Sequence, residues 1–200
     1  MSQYYKKLVN CEKKLRTSLI TKTVIDSPTS PRSQYRLQSY RLLSHAEIEY
    51  YIEGIILHKL SIEKNKWKTH GKISNCLAYI LAYSKVVLPS ISTRLTEISN
   101  KNDIEFRMGT VLSEYERLVK RNNGIKEANV IPLLISIGVD YSKISQTLLN
   151  NLSSFGKNRG STAHNSSIVQ QLINPSDEIE IVKQIIEELE EIDELVRKIK

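Results

Sequence analysis

The sequence predicts an all-α protein, and three observations support this fold class. Only 7 glycines and 5 prolines occur among 200 residues, about half the usual share, which argues against turn-rich β-sandwiches and barrels. Apolar residues recur at spacings of three and four, the period of a helix. No segment shows the sustained alternation of apolar and polar residues that indicates a strand. Since 200 residues is the size of one domain, we expect 1–200 to form a single all-α domain.

In the first half of the chain the helical period predicts three helices. They run over Tyr4–Thr23, Ser33–Ile62 and Ile73–Val87. The two prolines and three hydroxyl residues between Asp26 and Pro31 indicate a loop. The chain is polar from Asn65 to Lys72, and Pro89 predicts another break.

The second half predicts helices over Ile104–Arg121, Ala128–Ile137 and Tyr141–Phe155. Asn122-Asn123-Gly124 is a turn signal, Gly138 ends a helix, and Pro132 fits if it falls in the first turn of its helix. Gly156–Gly160 interrupts the pattern, so we expect Ser161 to cap a new helix that runs to Ile173.

The last helix, 176–200, carries an apolar seam of coiled-coil spacing. The seam consists of Val182, Ile185, Leu189, Ile192, Val196 and Ile199. It could pack on the chain's own bundle or on a second copy. We favour the chain's own bundle, because stable coiled coils usually sustain three or more heptads.

Charge is divided unevenly along the chain. The net charge is +7, with 29 basic and 22 acidic residues; 176–200 holds nine acidic and four basic residues. The preceding part is therefore strongly basic, which indicates a polyanionic partner, with RNA or DNA the first candidates.

Several classes of site are not expected. The glycine-rich phosphate-binding motifs G-x-G-x-x-G and G-x-x-x-x-G-K-[ST] do not occur. Cys11 and Cys76 alone cannot form a disulfide framework or a zinc site. His45 and Glu49 lie four residues apart, but a metal site would need a third ligand from another helix, so we expect no metal and no cofactor. No apolar run reaches the length of a membrane span, and we expect a cytoplasmic protein.

The segment from Phe155 to Ser166 holds the candidate catalytic residues. It holds Arg159 and His164, five residues apart, and 141–175 contains no acidic residue. A histidine can move a proton near neutral pH, and an arginine can hold a phosphate with a planar, permanently charged fork. With Arg159 in a turn and Ser161 at a helix cap, both side chains and the free N–H groups of the first helical turn could meet one phosphate.

This segment resembles the R-G-x-x-A-H motif of HEPN-superfamily proteins of the RiboL-PSP-HEPN type. The segments 123–130 and 137–138 are similar to those that commonly precede the motif, and Ser44–Glu53 looks like the family's early helix. The resemblance covers about 35–173. It implies a HEPN-like helical bundle, here with additional N-terminal and acidic C-terminal helices.

The resemblance also implies an activity, that of a metal-independent endoribonuclease working as a homodimer with a composite active site. Arg159 would bind the scissile phosphate, and His164 would act as general base or acid in attack by the 2′-OH, giving a 2′,3′-cyclic phosphate. Such proteins often serve as toxins or antiviral effectors that an antitoxin or a defence-system partner restrains.

Other residues complete the expected site. Where many relatives carry a polar residue after the arginine this chain has Gly160, so the supporting role falls to Asn158, Ser161 or Asn165. Glu53 either faces Arg159 as an orienting carboxylate or is exposed. We expect Lys157 and Trp67 to contact RNA.

Two other functions, and the role of the paired tyrosines, remain open at the level of the sequence. A non-catalytic HEPN-like module could use the same dimer face to bind RNA or a partner. A DNA-binding regulator is weaker, because no helix-turn-helix with a basic recognition helix is apparent. The paired tyrosines, Tyr4-Tyr5 and Tyr50-Tyr51, either stack on bases or pack in the core.

Overall fold

The computed structural model describes residues 1–84, 104–164 and 171–199, and these residues form α-helices without a strand. The all-α prediction is confirmed. The helices are α1 (Gln3–Leu19), α2 (Lys22–Asp26), α3 (Pro31–His70), α4 (Asn75–Tyr83), α5 (Ile104–Lys120), α6 (Glu127–Ser136), α7 (Gln146–His164) and α8 (Pro175–Lys198).

Helix α3 is the central and longest element, and it is longer than predicted. Ser30 caps it by accepting a hydrogen bond from the Ser33 N–H, and Pro31 stands in the first turn, where its missing N–H costs nothing. The predicted end at Ile62 is wrong, because the polar residues that follow contain no helix breaker before Gly71. Gly71 closes the helix in the left-handed conformation, with φ 65°.

Helix α7 differs most from expectation. It runs without interruption through 156–160, so the predicted break and the cap at Ser161 are wrong. Glycine costs a helix interior only about 1 kcal/mol, and Gly156 lies close to Lys126, the residue that precedes α6. A Cβ there would lie 3.0 Å from the Cγ of Lys126.

The flanks of α7 also differ from the prediction. The chain forms a short 3₁₀ turn over Tyr141–Lys143, and α7 starts only at Gln146. Of the helix predicted over 161–173, the first four residues belong to α7, 171–173 are not helical, and 165–170 lie outside the described residues.

The shorter helices follow the sequence in part. The helix predicted over Tyr4–Thr23 ends at Leu19, and the separate helix α2 follows it. Pro132 lies inside α6, beyond the first turn in which it was expected. Gly138 ends this helix as predicted, with φ 97°, and the Tyr79 ring packs so closely that a Cβ would meet it at 2.8 Å. The helix predicted over 73–87 is shorter than expected, because α4 ends at Tyr83 and Ser84 caps it in an extended conformation. The break predicted at Pro89 lies outside the described residues.

The core surrounds α3, which contacts α1, α4, α5, α6, α7 and α8. The seam of α8 faces this core, since Val182, Ile185 and Leu189 are fully buried and α8 packs on α1, α3 and α7. The prediction that the seam packs on the chain's own bundle is confirmed.

Candidate active site

A polar stripe on α3 forms one wall of the candidate site. Arg41, His45, Glu49 and Glu53 recur every four residues and therefore lie on one side of the helix. They contact the C-terminal half of α7, the start of α8 and the turn between α5 and α6. This stripe brings together buried and half-buried polar groups from several elements.

His45 lies in the interior between α3 and α7. It is 2% exposed, and its ring stacks on that of Phe155 with 6.2 Å between centroids and 28° between planes. Its Nδ1 makes no hydrogen bond within the described residues and is 3.8 Å from Oε2 of Glu49. Burial, and secondarily the Arg159 guanidinium, lowers the pKa of His45 to about 4. His45 is therefore neutral at physiological pH.

The two carboxylates of the stripe hold the turn after α5. Glu49 accepts a hydrogen bond from the Gly124 N–H, and Oε1 of Glu53 accepts one from Nδ2 of Asn122 at 3.1 Å. Burial raises the pKa of Glu53. Glu53 is half-buried and bonded to Asn122, so it is neither the exposed residue nor the partner of Arg159 that the sequence suggested.

Arg159 lies one turn beyond Phe155 on α7 and is half-buried. Its guanidinium is close enough to His45 to lower the pKa of the imidazole. Across residues 1–84, 104–164 and 171–199 it forms no ion pair and donates no hydrogen bond. A guanidinium left in this way keeps its planar, bidentate donors for a ligand, and a phosphate is the ligand whose geometry they fit.

Arg41 ties the end of α7 to two other helices. Its Nε donates to Glu178 of α8 at 2.8 Å and its Nη2 donates to the same carboxylate. Its Nη1 donates to Oγ1 of Thr162 at 3.2 Å. The last turn of α7, which ends at His164, is thereby attached to α3 and α8.

His164 and Arg159 do not share a face of α7. Both belong to the continuous helix, so their positions differ by about 140° around its axis. The position of His164 falls in line with Lys157 and Ser161, which are exposed. The cap that was expected to bring the two side chains together is absent, because the helix is continuous, and the meeting of Arg159 and His164 stays a prediction. The side chain of His164 and all of Asn165 lie outside the described residues.

The remaining predicted residues are spread over the surface. Lys157, Asn158 and Ser161 are exposed on α7. Trp67 lies 14 residues after Glu53, about 20 Å farther along α3, where it packs partly against the core. There it lines a cavity of about 410 Å³ with Lys64 and Lys68, away from the polar stripe.

Sequence reasoning missed His45 as a neighbour of Arg159. The four-residue spacing of the stripe was a usable signal, but it does not reveal which helix covers that face. Among the described residues no group of three His, Cys, Asp or Glu side chains is placed to hold a metal ion. None of the helices in the described ranges is long and apolar enough to cross a bilayer.

The fold and the site define a helical-bundle protein in which Arg159 lies near the polar stripe of α3 and forms no ion pair within the described residues. The family model RiboL-PSP-HEPN matches residues 6–198, and the chain belongs to this HEPN family. The match takes in both terminal helices, which the resemblance over 35–173 left outside. The family is generally associated with ribonuclease activity. No curated protein and no solved structure matches the chain.

Proposed function

We propose that this protein is a metal-independent endoribonuclease. The observation that carries the proposal is the state of Arg159. Arg159 is a half-buried residue whose charge acts on a neutral histidine, His45, and no carboxylate in the described residues pairs with it. A cation held in this way favours a phosphate, which neutralises it and satisfies its donors.

The proposed reaction is transesterification of RNA. Arg159 binds the non-bridging oxygens of the scissile phosphate and stabilises the charge that develops there. His164 takes the proton of the 2′-OH as general base, and the 2′-oxygen forms a bond to phosphorus while the bond to the 5′-oxygen breaks. A protonated histidine then gives its proton to the departing 5′-oxygen, which leaves as a 5′-OH. The other product ends in a 2′,3′-cyclic phosphate.

The proposed active unit is a homodimer. Arg159 and His164 lie about 140° apart around α7, which disfavours a site built from both residues of one chain. A second copy related by a twofold axis can place its own α7 against the first, since a twofold interface repeats the same surface on both sides. The arginine of one chain then serves the phosphate together with the histidine of the other.

Cleavage of labelled single-stranded RNA in EDTA tests the proposal. We expect the wild type to cut and to leave cyclic-phosphate ends. Arg159→Ala and His164→Ala should each lower the rate by about 10²-fold or more, the range for losing one charge-stabilising or proton-transferring group.

Arg117→Ala is the matched control, because Arg117 is an exposed arginine on α5. This variant should cut like the wild type. Cleavage that persists in Arg159→Ala and His164→Ala, or that stops when EDTA is added, contradicts the proposal. A folded wild type that binds RNA without cutting it favours the non-catalytic module.

A further inference from the structure

A second concave surface lies between α1, α3 and the end of α8. It is a cavity of about 820 Å³. Its residues on α3 extend from Tyr50 to Lys66, and none of them belongs to the polar stripe. The cavity is therefore a separate place on the molecule that the proposed reaction does not use.

The paired tyrosines divide between the core and this cavity. Tyr5 and Tyr51 are buried, and their hydroxyls donate to the backbone carbonyls of Ile186 and Leu189 on α8. The other member of each pair lines the cavity, and Tyr50 is 49% exposed there. The core therefore explains Tyr5 and Tyr51 fully but Tyr4 only in part, because Tyr4 packs against the core and also lines the cavity.

The cavity has an aromatic wall. The ring of Tyr4 lies 5.6 Å from that of His58 and 6.5 Å from that of Tyr50, tilted by 45° and 41°. Gly54 permits this arrangement, because a Cβ there would lie 2.5 Å from the Tyr4 ring. Tyr50 and His58 are exposed, and an exposed aromatic ring is a stacking surface for a base.

Cations flank the aromatic wall. Nζ of Lys7 lies 4.3 Å from the centre of the Tyr50 ring, and Arg197 also lines the cavity. Neither forms an ion pair within the described residues. Lys59 and Lys66 line it too, but both donate to the buried carboxylate of Glu63.

The carboxylates of the cavity are already engaged. Asp193 accepts hydrogen bonds from the Ser2 N–H and hydroxyl. Burial alone would raise the pKa of Glu63, but hydrogen bonds from Lys59 and Lys66 outweigh it and lower that pKa. Four cations and two carboxylates among the lining residues leave an excess of positive charge.

We propose that this cavity binds a nucleotide unit of single-stranded RNA outside the cleavage site. The base stacks on the wall formed by Tyr4, Tyr50 and His58, and Lys7 and Arg197 contact the flanking phosphates. Stacked aromatics beside a cationic groove are the usual means of holding unpaired strands, and only an unpaired strand can splay a base into a concave site. The choice of RNA rests on the proposed function.

Binding of a fluorescent 2′-O-methyl oligoadenylate tests the inference. This strand lacks the 2′-OH, so cleavage cannot interfere. The double variant Lys7→Ala/Tyr50→Ala should weaken binding at least about fivefold, the lower range for losing one stacked base. The control is Tyr141→Ala/Lys143→Ala, which removes the same residue types from an exposed turn, with Tyr141 also 49% exposed. It should bind within about twofold of the wild type.

Competition experiments identify the ligand. Unlabelled oligoadenylate should displace the probe, whereas AMP and polyphosphate, each matched in phosphate concentration, should displace it poorly. Equal binding by the cavity variant and its control overturns the inference, and so does equal competition by polyphosphate. If AMP competes as well as the oligonucleotide, a free nucleotide is the ligand and the assignment to RNA is overturned.

Cleavage kinetics separate this inference from the proposed function. In a cleaving enzyme, Lys7→Ala/Tyr50→Ala should raise KM about fivefold with kcat unchanged, because it removes binding that is the same in ground and transition states. If the wild type cuts no RNA but the cavity variant still loses oligonucleotide binding, the proposed function fails and the cavity assignment stands. If the wild type cuts and both double variants bind alike, the reverse holds.

Discussion

Two nitrogen-bearing side chains of unlike charge share the space between α3 and α7. His45 is buried and neutral, while Arg159 is half-buried and cationic. Protonating His45 would put a second positive charge beside the guanidinium, with Glu49 at 3.8 Å as the nearest carboxylate. The neutral imidazole therefore lets Arg159 stay in place without repulsion.

The low pKa of His45 predicts an effect of pH on stability. The ordinary pKa of 6.5 falls to about 4 in the folded protein, so the unfolded chain binds this proton first. The contribution of neutral His45 to the free energy of unfolding is complete above about pH 6.5. It is lost as the pH falls towards 4, and the loss is at most about 3 kcal/mol. Urea unfolding at pH 7 and pH 4.5 measures it.

His45→Gln should remove this part of the pH dependence. The exposed His70 gives the matched control, His70→Gln, which should keep the wild-type profile. Carboxylates also titrate in this range, so the result is the difference between variants and not one curve. Parallel profiles for His45→Gln and the wild type would show that His45 titrates normally.

For single residues, the sequence indicated which side chains are candidates for the site but not which other residues they contact. Arg159 could be chosen because its residue type and its motif suit a phosphate. The role of His45 could not be predicted, since a histidine becomes neutral only when another element buries it, and α7 does so through Phe155. The turn at Asn122-Asn123-Gly124 was predictable, whereas its attachment to Glu49 and Glu53 depends on the fold.

Among the elements, α7 shows where local signals fail. Two glycines and a serine read as a break and a cap, yet the helix continues. Thr162 donates to the carbonyl of Asn158, one turn back within the helix, at 2.9 Å. Burial of Phe155 and the contact at Gly156 come from other helices, so packing outweighs a propensity difference of about 1 kcal/mol per glycine.

The pair of Arg41 and Glu178 should contribute strongly to stability. Their side chains are only 14% and 5% exposed, so removing one partner leaves the other charge buried without compensation. Arg41→Met should lower the free energy of unfolding by about 3 kcal/mol. The double variant Arg41→Met/Glu178→Gln should recover part of that loss, because it leaves no unpaired charge.

Urea unfolding of the wild type, both single variants and the double variant measures the coupling between these residues. Lys198→Met is the control, since Lys198 and Glu194 form an exposed pair on the same helix, α8. It should leave stability unchanged. Strictly additive losses for Arg41 and Glu178 would mean that the pair contributes nothing as a pair.

For the whole molecule, the proposed composite site predicts complementation between two inactive variants. In mixed dimers of Arg159→Ala and His164→Ala, one of the two sites regains an arginine from one chain and a histidine from the other. After equal mixing and exchange of subunits, about a quarter of wild-type activity should return. Refolding the variants together from urea, followed by the RNA cleavage assay, measures it.

The control for this experiment is each variant refolded alone at the same total concentration, which should stay inactive. Activity that remains absent in the mixture, while exchange into mixed dimers is demonstrated by a size tag, rules out a site shared in this way. Arg159 and His164 would then have to act within one chain.

The overall architecture was the most predictable level. Scarce glycine and proline, together with the helical period, indicated the all-α class, and the seam of α8 indicated its buried face. The part of the chain that belongs to the family was underestimated, because the resemblance rested on one motif and one helix. The terminal helices have no motif of their own, and only the match over 6–198 brings them into the family.

The unbroken length of α3 sets a distance between the two proposed sites. His45, at the stripe, and His58, at the cavity, are separated by 13 residues and so by about 20 Å along the helix axis. Because α3 is one continuous helix, this separation is fixed. An RNA must reach along and around α3 to occupy both sites, and a shorter one occupies only one of them. Under the two proposals, an RNA too short to span this distance is bound at one site only, so fragments released by cutting are bound less tightly than the strand they came from.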